Sequence, residues 1–154
     1  MSLVYLGLGS NLGDKEANLN EVISLLSVKV GHVLRQSSFY ASKAWGYVSE
    51  NDFLNIVVLL ETNLRPFDLL RETQNIERKI GRKEKTTGND YSDRIIDIDI
   101  LFYDNEVIDC EILKIPHPLI TERDFVLIPL AEIASDFVHP INGKTIRELK
   151  KTIN

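Results

Sequence analysis

An α+β sandwich, with two helices packed on one face of an antiparallel sheet, is the fold class that this 154-residue chain predicts. Three observations carry it. The run Arg94-Ile95-Ile96-Asp97-Ile98-Asp99-Ile100-Leu101-Phe102-Tyr103 alternates β-branched or aromatic residues with others, the period of a strand. The run from Phe53 to Thr62 is apolar almost throughout and reads as a central strand. Two stretches of helical periodicity, 15–27 and 66–80, fall between strand-like runs.

Taken in order, Leu3-Val4-Tyr5-Leu6 reads as a buried strand that ends in the glycine-marked turn Gly7-Leu8-Gly9-Ser10-Asn11-Leu12-Gly13-Asp14. Asp14 suits an N-cap and Glu16 a first helical turn. Leu19, Val22, Ile23 and Leu26 then give the first helix its apolar stripe. The 9–14 turn has room for a phosphate at that helix start, but it lacks the Lys-Ser/Thr of a P-loop, and a plain strand-to-helix turn explains it as well. His32 to Tyr40 reads as a second strand, followed by an aperiodic loop, 41–52, that holds Trp45 and Tyr47. Those rings either pin the loop to the core or belong to a binding loop. Pro66 opens the second helix, with Leu69, Leu70, Thr73, Ile76 and Ile80 inward and Gly81 at its stop. After Tyr103 come a turn at 104–106, a short return strand at 107–108, a helical turn over 119–123 and an apolar core segment, 125–134, with Pro129 at a helix start or kink. Thr145 and Glu148 form a capping box for a last helix through Ile153. The order β-α-β-β-α-β suggests a ferredoxin-like sandwich, here with a C-terminal extension.

Chemistry concentrates on the Asp-x-Asp strand. Side chains two apart share a strand face, so Asp97 and Asp99 stand together, opposite Ile96, Ile98, Ile100 and Phe102. Two like charges on one face, in residues that form strands poorly, call for compensation. Either the face is simply solvated, or a divalent cation carrying phosphate ligands supplies it. The preceding segment, 81–94, is the most polar of the chain and holds Arg82, Lys83, Lys85 and Arg94, cations placed to meet a polyphosphate. Asn55 interrupts an apolar strand on the same face as Phe53. A buried amide there is satisfied by backbone, or it reads the donor–acceptor edge of a heterocycle stacked on the ring.

Composition narrows the classes. The length suits one domain, 1–154, with a single sizeable core. A hydrophobic fraction of 44% is ordinary for a soluble globular protein, and a formal charge of -5 argues against nucleic acid or an anionic membrane as partner. Cys110 is the only cysteine, which excludes an intrachain disulfide and a cysteine-based zinc site. The apolar run 3–8 is too short for a signal peptide or a membrane span, and a cytoplasmic location is expected. Asn142-Gly143-Lys144-Thr145 is no Walker A motif, since Val138 stands where a glycine is required.

In their order, Gly9-Ser10-Asn11-Leu12, Ser38-Phe39-Tyr40, Phe53-Leu54-Asn55, Gln74-x-x-Glu77, Gly81-Arg82, Asp93-Arg94-x-Ile96-Asp97-Ile98-Asp99-Ile100-Leu101, Pro116-His117-Pro118 and Arg123-x-Phe125 make the chain resemble the 6-hydroxymethyl-7,8-dihydropterin pyrophosphokinases of folate biosynthesis over nearly its whole length. The resemblance implies transfer of an intact pyrophosphoryl group from ATP to the pterin hydroxymethyl oxygen, with release of AMP. It implies that Asp97 and Asp99 bind two Mg²⁺ ions and that Arg82 and Arg94 are catalytic arginines. By the same resemblance Phe53 and Phe125 sandwich the pterin, Asn55 bonds its edge, and Ser42, Lys43 and Trp45 add contacts. Gln74, Glu77, Tyr91, Ile100, His117 and Arg123 match positions at the ATP site, alongside Arg82 and Arg94. The chain departs from the family pattern at Lys43, Tyr91, Asp93, Ile112 and Lys114, and at Lys85 or Glu84, where a second lid arginine is usual. A monomer without nucleic-acid or membrane partners is expected. A different Mg-nucleotide transferase leaves the Phe53/Asn55/Phe125 set without purpose. An RNA-recognition sheet fits poorly with two aspartates on its central strand.

Overall fold

The computed structural model describes residues 1–43, 52–81 and 95–153. Five strands form one antiparallel sheet: β1 (Ser2–Ser10), β2 (Gly31–Gln36), β3 (Tyr40–Ser42), β4 (Phe53–Thr62) and β5 (Asp97–Tyr103). Its order is β2-β4-β1-β5, with β3 continuing along the β4 edge that β2 occupies. With helices α1 (Lys15–Lys29) and α2 (Pro66–Ile80) as crossovers, this is the ferredoxin-like arrangement expected from the element order. The Asp14 carboxylate accepts the Ala17 N–H at 3.1 Å, the expected cap of α1.

Three differences from the sequence reading bear on the site. Strand β1 does not stop at Leu6 but runs on to Ser10, pairing residue by residue with β4 as far as Ser10↔Leu54. Gly7 and Gly9 are therefore strand residues, and neither has a positive φ. The predicted 32–40 strand is broken at 37–39, where the Glu132 carboxylate accepts both the N–H and the hydroxyl of Ser38, each at 2.8 Å. Those bonds hold Ser38 to Glu132, while Ser37 stays bonded to Val57 of β4 through its N–H and its Oγ. Gly81 ends α2 with an extended φ of -165°, not in the left-handed conformation of a usual helix stop. Its requirement is space, because a Cβ there would lie 2.5 Å from Cβ of Ile95.

Both faces of the sheet are covered, unequally. Val4, Leu6, Leu8, Ile56, Val58, Leu60, Ile98 and Ile100 pack under Leu19, Val22 and Leu26 of α1 and Leu69 and Ile76 of α2. The C-terminal extension covers part of the second face. Following the hairpin β6 (Ile108–Asp109) and β7 (Lys114–Ile115), a 3₁₀ turn at Ile120–Glu122 leads into α3 (Asp124–Ala134) and then α4 (Ile146–Lys150). These bring Ile120, Val126, Leu127, Leu130, Ile146 and Leu149 onto Tyr5, Val57, Leu59, Leu101 and Phe102. The capping box of Thr145 and Glu148 is present, although α4 ends at Lys150. Phe102 lies on this second face, not beside Ile98 and Ile100 as period two predicts. The β1–β5 register shifts between Tyr5 and Leu6, which pair with Phe102 and Ile100, so Leu101 is bulged and reverses the alternation after it.

His139 fastens the extension. Its Nδ1 accepts the N–H groups of Ile141 and Asn142, and its ring meets Phe102 edge-on at 5.4 Å. Burial holds its pKa below the usual value. The unfolded chain then takes up the proton first as pH falls, so this part of the stability is present above about pH 6.5 and is lost below it. The denaturant midpoint is expected to drop between pH 7 and pH 5, and by a smaller amount in His139→Asn. An equal drop in that variant would assign the effect to other groups.

Candidate active site

Two rows of paired residues cross the second face, one in its uncovered part and one at the border of the covered part. Gly9 pairs with Asn55 on one side and Asp97 on the other; Gly7 pairs with Val57 and Asp99. Directly opposed residues of an antiparallel sheet share a face. Asp97 and Asp99 thus stand together and half-buried, on the same face as Asn55, and a Cβ-less strip of β1 separates them from it. The signal for this strip lies in the alternation of Gly7 and Gly9 with Leu6 and Leu8, which is the period of a strand, whereas glycine content alone suggests a turn.

At one end of the strip Asn55 is 6% exposed. Its Nδ2 donates to the Tyr40 carbonyl at 3.0 Å and to Ser42 Oγ at 2.8 Å. Protein groups thus fix the amide nitrogen, while Oδ1 lies 3.2 Å from where a Cβ of Gly9 would be. Phe53 is half-buried beside it, and the side chain of Lys43, just past β3, is exposed. Phe125 enters from the first turn of α3, with the Arg123 guanidinium 5.4 Å above its ring. Arg123 Nη1 is also 3.6 Å from Oδ2 of Asp99, so one cation links the ring end of the strip to its acidic end.

Beyond Asp99, at the outer edge of β5, a cleft of about 230 Å³ is lined by residues that include Leu70, Ile100, Ile112, Lys114 and His117. Burial, and then the nearby Arg123 charge, push the His117 pKa down to about 4. Its Nδ1 accepts the Leu119 N–H, so in the neutral ring the proton is on Nε2, which lies 3.8 Å from Oδ1 of Asp99. Glu77 is buried, and its carboxylate accepts the Ile98 N–H at 2.8 Å, on the strand residue between the two aspartates. Gln74 is exposed on α2, outside the cleft lining. Trp45, Arg82, Tyr91 and Arg94 lie outside the described residues. Among the described residues there is no group of three or more His, Cys, Asp or Glu side chains arranged to hold a metal ion, and no helix is long and apolar enough to cross a membrane.

Fold and site together define a class: a ferredoxin-like domain whose second face sets Phe53 and Asn55 across a glycine strip from an acidic pair, beside a cleft at the sheet edge. Comparison with known proteins narrows it. The family model for 7,8-dihydro-6-hydroxymethylpterin-pyrophosphokinase (HPPK) matches residues 5–135. A 2-amino-4-hydroxy-6-hydroxymethyldihydropteridine pyrophosphokinase of Porphyromonas gingivalis is 45% identical over 141 residues, which cover 91% of this chain and 95% of that one. The enzyme of the same name from Aquifex aeolicus is 42% identical over 150 residues, 97% of this chain and 91% of that one. The crystal structure of wild-type Plasmodium falciparum HPPK-DHPS has the same fold, with a TM-score of 0.78 at 16% identity; the match covers 98% of this chain and 44% of that one. The chain belongs to the HPPK family, the pyrophosphokinases of folate biosynthesis.

Proposed function

We propose that this chain transfers a pyrophosphoryl group from ATP to the hydroxymethyl oxygen of 6-hydroxymethyl-7,8-dihydropterin. The observation that carries the reading is the row Asn55–Gly9–Asp97, which sets a reader of heterocycle edges and a carboxylate pair at the two ends of one strip. In the transfer the hydroxymethyl oxygen bonds to the β-phosphorus as the bond from that phosphorus to the α,β-bridging oxygen breaks. AMP departs with the bridging oxygen, and the hydroxymethyl proton passes to solvent. No protein nucleophile takes part, so positioning and charge stabilisation do the catalysis.

Two half-buried carboxylates, one residue apart on a strand face, are a donor set suited to Mg²⁺ shared with phosphate oxygens. Asp97 and Asp99 would hold two such ions, which when bound neutralise phosphate charge and polarise the β-phosphorus. Arg82 and Arg94, from their places in the family pattern, bear on the phosphates as bidentate donors, and Tyr91 contacts the nucleotide. The Nε2–H of His117 faces the same region, and Ile100 gives the base an apolar wall. Gln74 borders the nucleotide. Glu77 serves it indirectly, by holding the backbone between the two aspartates. Phe53 and Phe125 enclose the pterin, Asn55 bonds its edge, and Ser42, Lys43 and Trp45 complete the slot. Arg123 couples the two ends. The reading is of a single domain, 1–154, acting as a monomer in the cytoplasm, without nucleic-acid or membrane partners.

Purified protein given ATP, Mg²⁺ and the reduced pterin is expected to release AMP together with the pterin diphosphate. Omitting the pterin or adding a chelator is expected to stop the release. AMP formation that ignores the pterin would overturn the acceptor, and turnover in excess chelator would overturn the metal.

A further inference from the structure

Glycine in the interior of a paired strand weakens it and packs nothing. Gly9 nonetheless stands in β1, paired on both sides and without a positive φ, so backbone conformation does not require it. Close approach of protein atoms does not require it either. At Gly31 an added Cβ would lie 2.0 Å from the Glu61 carbonyl oxygen, and at Gly81 2.5 Å from Ile95, so the protein itself fills those spaces. At Gly9 the nearest atoms are Asn55 Oδ1 at 3.2 Å and Phe53 Cδ1 and Cε1 at 3.4 and 3.9 Å, all of them side-chain atoms. A methyl group would fit there with a few tenths of an ångström of adjustment. It would occupy the angle between the amide oxygen and the ring, where the edge of a planar ligand must lie to use both.

We propose that Gly9 determines acceptor specificity: by withholding a Cβ, it sets how deeply a planar heterocycle slides between Phe53 and the Oδ1 of Asn55. This inference rests on the reading of the slot as the pterin site. A methyl group at position 9 lifts the heterocycle off the strand floor and stretches its bond to Asn55, while the acidic pair and the cleft beyond β5 keep their geometry. Asp97 is opposite Gly9 but on a neighbouring strand, and no atom of it is among the three nearest to the added Cβ.

The test is Gly9→Ala, read by equilibrium binding so that it does not depend on turnover. With Mg²⁺ and α,β-methylene-ATP present, wild-type protein is titrated with 6-hydroxymethylpterin and compared with the variant. The expected result is a Kd for the pterin raised about tenfold or more, the scale of a forced displacement in a packed site. The affinity for the ATP analogue and the melting temperature are expected to match wild type. An unchanged pterin Kd would overturn the proposal. So would equal losses for pterin and nucleotide, which would indicate a general distortion, or failure of the variant to fold, which would make Gly9 a packing residue. Wild-type protein that binds the pterin but releases no AMP would contradict the proposed transfer and leave the role of Gly9 to be decided by the same titration.

Discussion

Alanine in place of Asp97 or Asp99 is expected to abolish pyrophosphoryl transfer in a protein that stays folded. Both side chains are half-buried on the uncovered part of the sheet, and neither residue belongs to either hydrophobic core. Removing one therefore takes away a charge without opening a cavity. The loss in kcat should be on the order of 10³-fold, the upper range for deleting one preorganised charge-stabilising group. The neutral, isosteric changes Asp97→Asn and Asp99→Asn should fall nearly as far, because the anion and not the shape is needed. Steady-state kinetics over a range of Mg²⁺ concentrations, alongside a thermal melt, reads both effects. Wild-type turnover in any of these variants would refute the metal assignment.

Phe102→Ala is expected to produce the largest loss of stability. The side chain is 1% exposed and its ring meets those of Tyr5 at 6.2 Å, Phe137 at 4.7 Å and His139 at 5.4 Å between centroids. Truncating such a residue costs about 3–5 kcal/mol, a large part of the 5–15 kcal/mol typical of a whole domain. A double-mutant cycle with Phe137→Leu should show coupling of about 0.5–1.5 kcal/mol, the scale of an aromatic pair. Additivity within error would mean that Phe102 does not face the C-terminal extension and that the bulge at Leu101 is misplaced. Equilibrium unfolding in urea provides all four values.

That bulge marks a limit of what could be read in advance. Alternation placed Asp97 and Asp99 together, and Phe53 with Asn55, because each pair lies within an undisturbed stretch of strand. It failed one bulge later at Phe102, since nothing in Ile100-Leu101-Phe102 announces that two residues oppose one on β1. The ferredoxin-like order was legible because each helix carries its own apolar stripe. The break at Ser38 was not, because it depends on Glu132, 94 residues away. Gly7 and Gly9 were misread for a similar reason. Glycine signals a turn by default, and only pairing on both sides reveals a strand that needs empty space. Glu77 was found by its place in a family pattern, but its contact with the Ile98 N–H emerges only once α2 lies along the sheet edge.

The grip of Glu132 on Ser38 reaches beyond local stability. It ties α3, which carries Phe125 in its first turn, to the strand connection leading into Ser42, so the two walls of the proposed heterocycle slot are anchored to each other independently of the strand that bears the acids. Apart from the Arg123 link, acceptor choice and phosphate handling then fall to separate parts of the proposed site. Redesign of residues 125–134 with Arg123 kept is expected to retarget the enzyme to a differently shaped alcohol while its nucleotide chemistry passes through unaltered.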